Sequence, residues 1–127
     1  MPHIEVIGAC PLATLHARLA PRTLREEEEV LRVLGCYLAS DSNSLLLDCM
    51  TVEGYLRQSF FVLLTARPEA VMVRLLPRTS PEKTAGVKRL VAWIGSCVRA
   101  ASSGATFGVT NLDDALRRPF PPESLSP

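Results

Sequence analysis

The sequence predicts an α+β domain in which an antiparallel three-strand meander, with one or two short edge strands, packs against two long helices. Three observations carry that expectation. Apolar runs are divided by turn residues at Glu53-Gly54 and at Arg67-Pro68-Glu69, a capping pattern opens an apolar-periodic stretch at Thr23, and a Ser-Pro pair opens another at Ser80.

Residues 3–8 (HIEVIG) alternate Ile4, Val6 and Gly8 with His3, Glu5 and Ile7, the two-residue period of a strand. A short helix follows. Pro11 suits its first position, where a missing N–H is no loss, Leu12, Leu15 and Leu19 share a face, and Pro21 stops it. In TLREEEEVLRVLGCYLAS, Thr23 and Glu26 form a capping box, and the glutamates suit the positive end of a helix dipole. Val30, Val33, Leu34, Tyr37 and Leu38 then fall on one helical stripe that SDSNS terminates, so the first long helix is expected here.

The meander comprises residues 44–52, 56–65 and 70–77. The unbroken apolar run from Phe60 to Leu64 suits a central strand covered on both faces, while Asp48 and Arg74 interrupt the flanking strands as in half-exposed ones. Ser80 caps the second long helix, with Pro81 at its first position and Glu82 in its first turn. Val87, Leu90, Val91, Ile94, Val98 and Ala101 form its apolar stripe, which Gly86, Trp93 and Cys97 widen on one flank. Residues 105–110 read as an edge strand, Asn111 as the cap of a short helix, and PFPPESLSP as an extended, mobile segment. Residues 1–118 are therefore one domain and 119–127 a Pro-rich C-terminal tail.

A chain of 127 residues can bury a core of its own, and its 47% hydrophobic and 21% charged residues lie far from disordered composition. No apolar run reaches the roughly 18 residues of a membrane span, and the first residues lack a secretory pattern, so an intracellular, cytoplasmic protein without membrane contact is expected. Cys10, Cys36, Cys49 and Cys97 are scattered singly and read as reduced thiols. The charge is uneven: residues 1–54 hold four arginines against eight acids, and residues 55–99 hold eight basic residues against Glu69 and Glu82 alone.

The chemistry is mostly excluded. Close ligand pairs of the kind that chelate zinc are missing, so neither a metal nor any other cofactor is expected. Nucleophilic catalysis would have only His3 and His16 as imidazole bases, and Ser96 and Cys97 fall inside a helix, not on a strained turn. An enzyme built on Cys10, His16 or Cys97 would need an unusually acidic thiol. SSGATFG lacks the Lys-Ser/Thr ending of a phosphate loop. Around Phe61-Val62, Gln58, Ser59 and Leu64 stand where an RNA-recognition strand carries its glycine and stacking aromatics.

What remains is a non-catalytic protein–protein interaction module, an adaptor, assembly factor or chaperone-like subunit, acting as a homo- or hetero-oligomer. The apolar surplus around Trp93, Phe60 and Phe61 marks the candidate interface. The alternative is a phosphate-backbone binder of nucleic acid using a basic face within residues 57–99, where Arg67, Arg78, Lys83, Lys88, Arg89 and Arg99 are the candidate contacts.

Overall fold

Residues 1–76 and 81–126 are described by the computed structural model. In chain order the elements are β1 (His3–Ile7), α1 (Leu12–His16), β2 (Arg22–Glu26), β3 (Glu29–Leu38), β4 (Ser44–Glu53), β5 (Leu56–Arg67) and β6 (Ala70–Leu75). After these come α2 (Ala85–Ala101), β7 (Thr106–Thr110), α3 (Asp113–Arg117) and a single 3-10 turn, Pro122–Ser124. Seven strands make one antiparallel sheet in the order β2-β3-β4-β5-β6-β1-β7, curled into a half-barrel.

This corrects the expected α+β architecture with two long helices, because the first of those helices is a β-hairpin. Thr23 pairs with Arg32 and Glu26 with Glu29 across a two-residue turn, Glu27 and Glu28. The capping-box glutamate is drawn instead into an ion pair with a distant arginine, Arg89. The apolar residues of this stretch satisfy the strand period as well as the helical one: Leu24, Leu31 and Val33 are buried, and a bulge between Val33 and Gly35 resets the alternation. Leu34 and Tyr37, placed on the helical stripe by spacing, face outward.

The three meander strands and the edge strand form, with β7 pairing to β1, but β5 is not covered on both faces as its apolar run implies: Phe60, Val62 and Leu64 are buried against the core while Phe61 and Leu63 are half-buried on the opposite face. Pro77 and Ser80 lie outside the described residues. Helix α2 starts at Ala85, beyond Pro81, and Thr84 caps it by accepting from the Val87 N–H at 3.2 Å. Glu53, at the end of β4, accepts from the Gly86 N–H at 2.9 Å and from the Thr84 hydroxyl. A side chain at Gly86 would occupy the space of that carboxylate.

The concave face of the sheet grips α2, which touches β1, β3, β4 and β6. From Arg89 to Val98 every helix residue is buried. Ile4, Val6, Leu31, Val33, Leu45, Leu47, Phe60, Val62, Leu64, Val71 and Val73 come up from the strands to meet it in one core. Complete burial of each such side chain contributes ~1.5–3 kcal/mol. Gly95 lets β1 approach closely: a Cβ there would lie 2.7 Å from Ile4 Cγ2. The segment after α3 also packs inward. Phe120 is buried with its ring 3.6 Å from the Arg89 guanidinium carbon, and Ser124 O accepts from Trp93 Nε1 at 3.1 Å and from Arg22 Nη1 at 2.9 Å.

Candidate functional site

The register of β3 to β6 places alternate residues on the convex face, away from α2. One row across the strands is Tyr37–Leu46–Leu63–Arg74. The next holds Gly35, Asp48 and Phe61, followed by Arg32, Met50 and Ser59, then by Val30, Val52 and Arg57. Antiparallel sheets with one solvated face alternate apolar and polar residues, so this outward set is unusually apolar. It is also separate from the core: Val30, Leu46, Val52 and Leu63 are half-buried without belonging to the core cluster or packing on it. Met50 is 94% buried yet outside that cluster, under the Arg57 side chain, whose Nε lies 3.3 Å from Met50 Sδ.

Two features sharpen this face. Gly35 has no side chain, so Tyr37 leans back over the strand with its hydroxyl 2.9 Å from where a Cβ at Gly35 would stand, and it remains 58% exposed. Asp48 is half-buried in the middle of the apolar rows and makes no hydrogen bond or ion pair among the described residues. Arg32, one row away on β3, and Arg74, two strands away on β6, are exposed and likewise make no side-chain hydrogen bond or ion pair among the described residues.

A second concentration of chemistry lies at the amino-terminal end of α2. A cleft of about 430 Å³ is walled by α2, α3 and the start of β3, through Ala85, Lys88, Arg89, Ala115, Arg118 and Glu29 among others. Its floor is a closed network. Arg89 donates from Nε and Nη2 to Glu26 at 2.9 and 3.1 Å, and from Nη1 to the Ala115 and Arg118 carbonyls, both at 2.6 Å. Hydrogen bonding from Arg89 holds the Glu26 carboxyl below its usual range, against the opposing pull of burial. Burial, with Glu26 beside it, pushes the neighbouring Glu29 carboxyl up.

The structure disperses the residues singled out from sequence. Trp93 and Phe60 are each 1% exposed in the core and offer a partner no surface, and Phe61 is half-buried on the convex face. Among the basic candidates, Arg89 is buried in the network above, and Lys83 and Lys88 line a smaller cleft beside it. Arg99 stacks on Phe107 at 4.1 Å, and Arg67 ends β5 about 30 Å by strand rise from Gln58, whose side chain bonds Glu82. Arg78 lies outside the described residues. These positions do not form one basic face.

Asp48 was expected on a half-exposed strand, but Tyr37, Leu46 and Leu63 were not expected as surface residues of the same face, nor Glu29, Arg117 and Arg118 as cleft residues. The signal for the first group was available: Asp48 marks which alternate residues of its strand face away from the core. The cysteines give no acidic thiol among the shifted groups, since burial pushes Cys36 and Cys97 up to about 11 and Cys49 well above its usual range. His16 Nε2 donates to the Cys36 carbonyl at 3.1 Å. Among the described residues no cluster of His, Cys, Asp or Glu could hold a metal ion, and no helix is long and apolar enough to cross a membrane. No protein-family model, curated protein or solved structure matches the chain.

Proposed function

We propose that the chain is a non-catalytic interaction module that pairs with a second copy of itself through the convex face of its sheet. The observation that carries this reading is Asp48, a half-buried carboxylate without a partner among the described residues, set among outward apolar residues on a face that also carries Arg32 and Arg74. A half-buried charge is costly unless paired. In a two-fold face-to-face contact each residue that reaches across is answered by its symmetry mate, so one Asp48–Arg contact is made twice. A surface carrying both signs and an apolar middle is complementary to itself.

The size is adequate. One row of four strands and three rows of three, at ~4.8 Å between strands and ~6.8 Å between rows, cover roughly 400 Å² in projection, before side-chain relief, against the ~800 Å² of accessible surface that each partner of a standard interface buries. Tyr37 supplies the rigid aromatic anchor that such contacts favour.

Sedimentation velocity over a concentration series tests this. The wild-type chain is expected to sediment as a dimer, and Leu63→Glu as a monomer with its thermal unfolding unchanged. A wild-type monomer at every concentration, or a Leu63→Glu variant that dimerises as before, would overturn self-pairing.

A further inference from the structure

Two clefts meet at Lys88. The larger one, of about 430 Å³, has four basic lining side chains and two acidic ones. The smaller, of about 190 Å³, is lined by Lys83, Lys88 and Asn111 together with Met1, Pro2 and Leu112.

The partners of these charges divide them into spent and unspent. Arg89 is consumed by Glu26 and by backbone carbonyls, as described. Arg118 donates to Glu26 at 3.1 Å and to Glu29 at 3.4 Å. Arg117 and Asp114 pair at 3.4 Å with side chains 80% and 91% exposed, a contact that water screens to very little. Lys83 and Lys88 make no side-chain hydrogen bond or ion pair among the described residues, and between them they border both clefts. The unspent charge is therefore positive and concave, and it stands on side chains with freely rotating donors.

Charge alone would suit any anion. The larger cleft adds Ala85 and Ala115, whose small side chains leave room and give an apolar wall beside Lys88, and it adds Glu29 as an acceptor. Its volume falls within the range of small-molecule sites, which combine an apolar lining with a few fixed polar groups. Lysine binds phosphate as a point charge and demands no fixed plane of approach.

We infer that the joined clefts bind a small phosphorylated organic molecule, its phosphoryl group between Lys83 and Lys88 and its body against Ala85 and Ala115. Glu29, on the wall of the larger cleft, then accepts from the hydroxyl-bearing part of the ligand. This site is independent of the convex face, so either assignment can fail alone.

Isothermal titration of the full chain with ribose 5-phosphate, inorganic phosphate, ribose and a short single-stranded oligonucleotide tests the site. The sugar phosphate is expected to bind about tenfold or more tightly than phosphate or ribose, and Lys88→Ala and Lys83→Ala are each expected to weaken it about tenfold. Arg67→Ala, at the other end of the sheet, is expected to leave binding unchanged. Equal affinity for inorganic phosphate would reduce the site to an adventitious ion only and overturn the assignment. So would undiminished binding by Lys88→Ala, the absence of binding heat, or an oligonucleotide that binds more tightly and displaces the sugar phosphate.

Discussion

Replacing Arg89 with methionine keeps most of the buried stem and deletes the charge. Arg89 is 4% exposed and its side chain holds Glu26 at 2.9 Å, the carbonyls that end α3, and the face of Phe120. Removing one member of a buried ion pair costs ~3–5 kcal/mol when the other is left uncompensated, and Arg118, still 3.1 Å from Glu26, holds the cost here to the lower end, ~3 kcal/mol. Loss of the contact to Phe120 adds ~1 kcal/mol. The carbonyls it leaves sit near the surface, where water replaces the lost donors, so they add little. A net loss of ~4 kcal/mol follows.

The pH dependence has a definite sign. Glu26 has a folded-state pKa below its ordinary value of 4.5, so the pair contributes fully above that value and its contribution is lost as pH falls through the folded-state pKa. Urea unfolding followed by far-ultraviolet circular dichroism, at about pH 7 and about pH 3, should show the gap between wild type and Arg89→Met closing in acid. In a double-mutant cycle Glu26→Gln should cost much less in the Arg89→Met background than alone. A penalty under ~1 kcal/mol at neutral pH, or a gap of equal size at both pH values, would refute the assignment of this pair as the clamp on α3.

Thr51 is fully buried, and its hydroxyl is without a hydrogen-bond partner. Thr51→Val keeps the shape and removes the unsatisfied group, so it should stabilise the chain by ~1 kcal/mol, read as a higher urea midpoint at unchanged slope. A lower midpoint would show that the hydroxyl is bonded. Cys49 and Cys97 combine burial with raised thiol pKa values, so their alkylation by iodoacetamide near pH 8 should run about a hundredfold or more slower than in the denatured chain. Mass spectrometry of the labelled sites reads this, and a fast Cys97 would contradict its burial.

Much of the sheet was legible because β1 alternates with a two-residue period and the apolar runs of β4, β5 and β6 are divided by turn residues that admit little else. Gly54 and Glu69 adopt positive φ at two of those turns. The long helix α2 was legible from its stripe, although its start was not, since Thr84 competes with Ser80 as a cap. The β2–β3 hairpin was illegible for a definite reason. Thr23 and Glu26 satisfy a helix cap locally, and only the long-range partner Arg89 makes the extended form of Glu26 the better one. Trp93 looked surplus to one helical face because nothing in the sequence announces that the sheet curls round the other faces. The cleft depends on α3 lying across the start of α2, a tertiary fact without a local signature.

The position of β1 bears on how the chain is made. Its neighbours in the sheet are β6 on one side, with Ile7 opposite Ala70, and β7 on the other, with Ile4 opposite Thr110. The strands from β2 to β6 each pair with the next in sequence, so the meander can assemble as it leaves the ribosome. β1 has no such neighbour. It waits for Ala70–Leu75 to supply one partner and for Thr106–Thr110 to supply the other, and the seat it finally takes, against Gly95 of α2, exists only once that helix is in place.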